Sequence, residues 1–94
     1  MPDDPNSARQ TVTIANRLGL HARPAMAFVD LANRYKSRIL VRKDSQVVDG
    51  KSIMQMMMLA ATQGTELQIE AHGNDADKAC DTLVALVDRG FDED

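Results

Sequence analysis

Apolar and polar residues alternate in four short stretches of the chain, which is the pattern of strands with one buried face. Three of them are Gln10 to Asn16, Ser37 to Lys43 and Gln46 to Asp49. The fourth, Glu66 to His72, alternates most regularly, so its apolar side chains should face a core and its polar ones the solvent. The polar side chains of that strand are Glu66, Gln68, Glu70 and His72.

Two longer stretches repeat their apolar residues every three or four positions, which is the spacing of an amphipathic helix. The first begins at Pro24, whose fixed φ suits a first helical turn, and extends to about Tyr35. The second is capped by Asn74 or Asp75 and ends at Gly90, a residue type that commonly terminates helices. Each helix should pack its apolar face against the core.

A short helix is predicted between the third and fourth strands. Ser52 is a suitable N-cap, and Gln55 three residues later completes a capping box. Among the residues that follow, Ile53, Met57 and Ala60 or Ala61 could face the core. The four methionines between positions 54 and 58 cannot all do so, and a loosely packed core helix and a docking surface both explain them.

The predicted order of elements is β-α-β-β-α-β-α. Helices and strands that each have one apolar face predict a two-layer α+β fold with the helices on one face of the sheet. We expect the domain to occupy residues 10–94, and residues 1–9, which are polar and contain two prolines, to form a disordered extension. The pattern does not determine the strand order.

Composition and charge restrict the possible functions. The 94 residues make one small domain, and the net charge of −3 argues against general nucleic-acid binding. Glu66 and Glu70 on the polar sheet face also argue against an RNA-recognition surface, which needs aromatic stacking residues. No apolar run predicts a membrane span, and the single cysteine, Cys80, is expected in the core. We therefore expect a cytoplasmic protein.

Residues 19–25 carry the clearest chemical signal. Gly19 provides freedom to turn, and Pro24 disfavours helical backbone at Arg23, so the chain should turn before the helix starts. His21 and Arg23 would then lie beside a helix N-terminus, where free N–H groups and the helix dipole attract phosphate. A neutral imidazole there could accept a phosphoryl group, although a lone histidine in a loop is more often only solvated or capping.

The stretch Gly19-Leu20-His21-Ala22-Arg23-Pro24-Ala25 resembles the active-site signature of the histidine-containing phosphocarriers (HPr) of the bacterial phosphotransferase system. The likeness continues through Lys51-Ser52-Ile53-Met54 and Gln63-Gly64-Thr65 and covers nearly the whole chain. It implies an HPr-like open-faced β-sandwich, in which a four-stranded antiparallel sheet carries three helices on one face. The C-terminal Gly90-Phe91-Asp92-Glu93-Asp94 looks more like the nitrogen-branch NPr, whereas Lys51 to Met54 looks more like sugar-branch carriers, so both branches stay open.

The resemblance also implies roles for individual residues. His21 would accept a phosphoryl group on Nδ1, the pros nitrogen, from an Enzyme I-type donor and pass it to an Enzyme IIA-type acceptor. Arg23 would balance the charge, while the backbone N–H groups of Ala22 and Arg23 would hold the phosphate oxygens. Such a protein is a phosphorylated intermediate rather than a self-contained enzyme. It needs no cofactor or metal, and we expect a monomer.

Two further sites follow from the same resemblance. Ser52 matches the regulatory phosphorylation site of carriers that have a dedicated HPr kinase/phosphorylase, in addition to its expected role as an N-cap. Ile53, Met54 and Met57 match an apolar patch that docks on partner proteins. An alternative function is a regulatory binding module that acts through Ser52 and this patch, although the presence of His21 argues against this as the sole role.

Some polar residues outside the signature have simpler expected roles. Asn16 and Arg17, just before the signature, could contact the phosphate. His72 should be a surface residue without a ligand role, because no Cys or His lies at metal-ligand spacing from it. The acidic tail is expected to be solvated rather than functional; it consists of Asp92, Glu93 and Asp94.

Overall fold

The computed structural model describes residues 6–93, and its elements follow the predicted order. The strands are β1 (Ser7–Thr13), β2 (Arg38–Lys43), β3 (Gln46–Asp49) and β4 (Glu66–His72). The helices are α1 (Ala22–Ala32), α2 (Ile53–Met58) and α3 (Ala76–Asp88), followed by a short 3-10 helix, Gly90–Asp92. Within residues 6–93, none of the helices is long and apolar enough to cross a bilayer.

The four strands form one antiparallel sheet in the order β1-β4-β2-β3. β4 lies between β1 and β2, and its residue Ile69 pairs with Gln10 on one side and Val41 on the other. The helices cover one face, where Phe28 of α1, Met56 of α2 and Leu83 of α3 are fully buried. The predicted α+β fold with three helices on one face of an open-faced sheet is confirmed.

The N-terminal boundary of the sheet differs from the prediction. β1 begins at Ser7, so residues 7–9 belong to the sheet rather than to an extension, while residues 1–5 of the predicted extension lie outside the described residues. The added residues pair with the end of β4, where Arg9 lies opposite Glu70. Alternation did not predict this because backbone pairing with an existing strand does not require apolar side chains.

α1 begins at Ala22, two residues before its predicted start, and Pro24 is the third helical residue. A proline is tolerated there because the first N–H groups of a helix have no intrahelical acceptor. The expectation that Pro24 keeps Arg23 out of the helix was therefore wrong. The regular helix ends at Ala32, and residues 33–35 continue as a turn.

α2 buries a different face from the one predicted. Met56 is fully buried and is followed by the buried Leu59 and Ala61, whereas Ile53 is 37% and Met57 41% exposed. The prediction of a core-facing side was therefore wrong for Ile53 and Met57 and is confirmed for Ala61. The apolar run has no polar side to indicate its orientation, and contacts with the sheet and α1 decide it.

The capping box of α2 is half formed. Ser52 is the N-cap, and its Oγ accepts a hydrogen bond from the backbone N–H of Gln55 at 3.2 Å, as predicted. The side chain of Gln55 does not return to Ser52; its Oε1 accepts from the backbone N–H of Asp49 at 2.9 Å. Gln55 thus links the start of α2 to the end of β3.

The predicted boundaries of α3 are confirmed, with a changed role for Asp75. Asp75 occupies the N-cap position but its side chain makes no capping hydrogen bond. Its carboxylate instead accepts from the hydroxyl of Ser37 and from the backbone N–H groups of Lys36 and Ser37, and these bonds lower its pKa. Asp75 therefore joins the start of α3 to the start of β2, while Gly90, at φ 69°, ends the helix.

Glu70 is an exception on the open face of the sheet, because only 5% of the residue is exposed. Its carboxylate lies 3.3 Å from Nε of Arg9, 3.3 Å from Nη2 of Arg42 and 3.4 Å from Nε2 of His72. Burial by itself raises the pKa of Glu70, but hydrogen bonds from His72 and Arg42 and the charges of both arginines lower the pKa below its usual value. The expected solvent exposure of Glu70 was therefore wrong.

Replacing Glu70 with Gln should lower the free energy of unfolding by roughly 1–2 kcal/mol at pH 7, since hydrogen bonds to a charged group are lost. The folded-state pKa lies below the unfolded one, so this contribution is present above the ordinary value of 4.5 and is lost as pH falls through the folded pKa. Urea unfolding should therefore show the gap between wild type and variant closing under acid conditions.

Glu66→Gln is the matched control, because Glu66 is an exposed carboxylate on the same strand and the same face. Its substitution should change stability by less than about 0.5 kcal/mol. A Glu70→Gln protein as stable as wild type at pH 7 would show that the surrounding cations contribute nothing to folding.

Gly19 is held close to the chain that leaves α2. Its φ is 69°, and a Cβ at this position would lie 2.5 Å from the carbonyl oxygen of Ala61 and 2.9 Å from Cα of Thr62. The next residue, Leu20, donates its N–H to the same carbonyl of Ala61 at 2.8 Å. The predicted turn at Gly19 is confirmed, and it fixes the approach to α1.

Gly19→Ala should lower the free energy of unfolding by roughly 2–4 kcal/mol, because left-handed strain adds to a clash with backbone atoms. Gly64→Ala separates the two effects: Gly64 has φ 87° but its Cβ would meet nothing within 4 Å. That control should cost about 1 kcal/mol from strain alone. Equal losses in thermal or urea unfolding would contradict the importance of the close approach.

Candidate functional site

His21 is the N-cap residue of α1 and follows the loop that leaves β1. Its backbone is extended, with φ −78° and ψ −174°, and its carbonyl oxygen accepts the N–H of Ala25 at 3.0 Å. That hydrogen bond closes the first helical turn. The predicted position of His21 beside a helix N-terminus is confirmed.

Free backbone N–H groups lie directly after this histidine. Ala22 and Arg23 are the first two helical residues, so their N–H groups have no acceptor within the helix, and Pro24 has no N–H. Ala22 and Arg23 are both exposed, and 36% of the His21 side chain is exposed. The ring is therefore accessible to solvent and lies at the positively polarised end of an 11-residue helix.

The carboxylate of Glu93 contacts the imidazole. Oε1 of Glu93 lies 2.7 Å from Nε2 of His21. Among residues 6–93, Nδ1 of the ring has no hydrogen-bonding partner. One ring nitrogen is thus engaged, and the other is left for a ligand.

The expectation of a solvated acidic tail was therefore wrong for Glu93. The 3-10 helix after α3 folds the chain back because Phe91 is buried, which brings Glu93 to the ring. The apolar Phe91 beyond the helix-ending glycine was the sequence signal for this return. Asp92 is exposed and pairs with Arg89 at 2.8 Å, and Asp94 lies outside the described residues.

Asn16 connects the tail to the loop. It is 2% exposed, and its Nδ2 donates to the carbonyl oxygen of Gly19 at 2.7 Å and to Oε1 of Glu93 at 2.9 Å. The amide nitrogen is therefore committed to two protein acceptors. Asn16 therefore links Glu93 to the loop before α1. The geometry does not support the expected direct contact between Asn16 and phosphate.

The groups around Glu93 favour its ionised form. The hydrogen bond from His21 lowers the pKa of the Glu93 carboxyl most; partial desolvation opposes this, and the bond from Asn16 and the charges of His21 and Arg23 lower the pKa further. Arg23 therefore acts electrostatically on the same carboxylate. The site combines one negative charge with two cationic or potentially cationic side chains.

The other predicted site residues lie on the neighbouring helix. α2 packs beside α1, and it carries Ser52 at its N-cap and the α2 patch, which we define as Ile53, Met54 and Met57. Met54 is 77% exposed, so the docking interpretation fits the patch better than the core interpretation. Sequence reasoning missed the exposed Leu18 and Met26, which flank the histidine loop.

His72 does not join this site. It lies at the end of β4, on the open face of the sheet, and its ring contacts Glu70 at 3.4 Å. In the part of the chain from residue 6 to residue 93, there is no group of three His, Cys, Asp or Glu side chains that could hold a metal ion.

Comparisons with known proteins agree with this geometry. Residues 8–89 match the family model described as the PTS HPr component phosphorylation site. The phosphocarrier protein HPr of Pseudomonas aeruginosa is 49% identical over 83 residues, which cover 87% of this chain and 92% of that protein. The phosphocarrier protein NPr of Proteus mirabilis is 45% identical over 84 residues, which cover 88% and 93%.

A solved structure extends the likeness to three dimensions. The crystal structure of HPr-C-His from Thermoanaerobacter tengcongensis has a TM-score of 0.89 and 41% identity, and the match covers 93% of this chain and 98% of that one. Family model, relatives and fold thus agree over almost the whole length. The chain belongs to the HPr/NPr family of phosphocarrier proteins of the phosphotransferase system.

Proposed function

We propose that this protein carries a phosphoryl group on Nδ1 of His21. The proposal rests on the hydrogen bonding of the His21 ring at the start of α1. Glu93 contacts Nε2, whereas Nδ1 has no hydrogen-bonding partner among residues 6–93. An imidazole nitrogen with a free lone pair is the nucleophile that phosphoryl transfer needs. The exposed Ala22 and Arg23 leave room for a donor protein.

The transfer of the phosphoryl group to His21 needs no additional base to remove a proton. Nδ1 supplies the electron pair of the new N–P bond, the bond between phosphorus and the donor breaks, and the proton on Nε2 stays on the ring. Charge builds on the phosphoryl oxygens, and the N–H groups of Ala22 and Arg23 can hydrogen-bond to them. The Arg23 guanidinium and the helix dipole offset the negative charge.

The protein would act between two partners rather than as a self-contained enzyme. An Enzyme I-type protein would supply the phosphoryl group, and an Enzyme IIA-type protein would take it. Its relatives include both HPr and NPr, and the same chemistry would serve either sugar transport or nitrogen-related regulation. The cytoplasmic location and the monomeric state stay predictions.

Incubation with phosphoenolpyruvate and Enzyme I should add one acid-labile phosphoryl group, detected by intact-mass measurement. His21→Ala should abolish the adduct, because the nucleophile is removed. His72→Ala is the matched control, since His72 is the other histidine of the chain and lies on the open sheet face. Sugar-branch and nitrogen-branch Enzyme I should be tried in parallel, and the faster donor identifies the branch.

An adduct that persists in His21→Ala, or that forms on His72, would overturn the assignment. Phosphorus NMR of the wild-type adduct distinguishes the two ring nitrogens. A phosphoryl group on Nε2 would contradict the proposed role of Nδ1 while leaving the carrier function intact.

The α2 patch would dock on both partners. Its exposed apolar side chains lie on the helix beside α1, and methionine adapts to differently shaped surfaces. Ser52 would regulate this docking if an HPr kinase/phosphorylase modified it. Its Oγ lies at the start of the same helix, so a phosphate there would add negative charge next to the patch.

Met54→Glu should weaken binding to Enzyme I about tenfold or more, because it places a charge in an apolar contact without touching the core. Val47→Glu is the control, since Val47 is similarly apolar and 42% exposed but lies on β3. Titration calorimetry and a melting curve separate binding from stability. Unchanged affinity of the Met54 variant would remove the α2 patch from the docking surface.

Ser52→Asp tests the regulatory part of the proposal with the same titration. Asp preserves a side-chain acceptor at the N-cap and adds charge. We expect weaker docking with unchanged stability, and equal affinity would argue against regulation through this serine.

A further inference from the structure

The C-terminal segment is built in an unfavourable backbone conformation that aims Glu93 at the histidine. Gly90, Phe91 and Asp92 follow one another at φ 69°, 57° and 61°, all in the left-handed region. For Phe91 and Asp92 this region is sterically disfavoured, and such conformations persist only where surrounding contacts enforce them. Contacts with the rest of the protein must therefore hold residues 90–92 in this conformation.

Three contacts enforce that shape. Phe91 is buried in the core with 8% exposed, and the carboxylate of Asp92 pairs with Nε of Arg89 at 2.8 Å. The backbone N–H of Glu93 donates to the carbonyl oxygen of Gly90 at 3.0 Å. Together they deliver the Glu93 side chain to a ring that lies 72 positions earlier in the chain.

The direction of the hydrogen bond between His21 and Glu93 can be derived. Oε1 of Glu93 already accepts a hydrogen bond from Nδ2 of Asn16, an amide nitrogen that can only donate. The neighbouring donors and cations also keep the pKa of Glu93 low, so the carboxylate is ionised at neutral pH. An ionised carboxylate has no proton to give, and Nε2 of His21 must be the donor.

We infer that Glu93 is a positioning residue, whose carboxylate keeps the ring proton of His21 on Nε2 and thereby presents the lone pair of Nδ1 to the phosphoryl donor. The effect on phosphoryl transfer rests on the proposed function, whereas the position of the ring proton follows from the contact between Glu93 and His21 alone. A carboxylate that fixes the tautomer of a reacting imidazole is also found in hydrolytic triads.

Glu93 would act a second time during the transfer. When Nδ1 forms the bond to phosphorus and keeps no free lone pair, the ring with its Nε2 proton becomes cationic. The carboxylate at 2.7 Å then faces a positive charge, and the interaction strengthens as the reaction proceeds. An interaction that is stronger in the transition state than in the ground state accelerates the step.

The test compares Glu93→Gln with Asp92→Asn. Each substitution removes one carboxylate from the same tail, but Asp92 pairs with Arg89 and does not reach His21. Nitrogen NMR of the isotope-labelled imidazole reports which ring nitrogen carries the proton when the ring is neutral. Stopped-flow phosphorylation by Enzyme I reports the rate of acceptance, and melting curves report folding.

Wild type and Asp92→Asn should both carry the proton on Nε2. Glu93→Gln should shift the tautomer population toward Nδ1–H and slow phosphoryl acceptance roughly five- to tenfold, the effect of losing one charged hydrogen bond. Unchanged tautomer and rate in Glu93→Gln would overturn the inference. A wild-type protein that accepts no phosphoryl group would instead overturn the proposed function, and the tautomer measurement would still decide the role of Glu93.

Discussion

The contact between Gly19 and the chain after α2 fixes the geometry on which the site depends. The loop leaves β1, passes against the carbonyl of Ala61 and enters α1 at His21. Fully buried Ala25 and Phe28 then hold α1 on the sheet. With both the loop and the helix held in place, α1 begins directly after His21, and its first two residues, Ala22 and Arg23, are exposed.

Two carboxylates of this fold, Glu70 and Glu93, have similar neighbours but lie in different places. Glu70 and Glu93 are each contacted by a histidine, and the positive charge of at least one arginine helps to lower the pKa of each. Glu70 is buried on the sheet, where its partners are Arg9, Arg42 and His72. Glu93 is partly exposed at the end of the chain, where its partner is the ring with the proposed chemistry.

In the proposed function, α1 would provide the chemistry and α2 the recognition of partners. α1 supplies the histidine, the free N–H groups and Arg23, whereas α2 supplies an apolar surface and Ser52. The two helices pack side by side, with Lys51 before α2 hydrogen-bonded to Asn33 and Tyr35 just after α1, and with Ala61 after α2 bonded to Leu20 before α1. In the proposed function the carrier would meet two partners in turn, and adaptable methionines suit such shared use.

The sequence by itself determined the elements and their order, the α+β class, the place of His21 at a helix start and the likeness to phosphocarriers. These features depend on local periodicity, on turn residues such as Gly19 and on a short signature, all of which can be seen along the chain. Only the tertiary structure decided the strand order, the buried face of α2, the shielding of Glu70 and the contact between Glu93 and His21. Each of these depends on packing between residues far apart in sequence, where several arrangements satisfy the same local pattern and only the energy of the whole fold selects one.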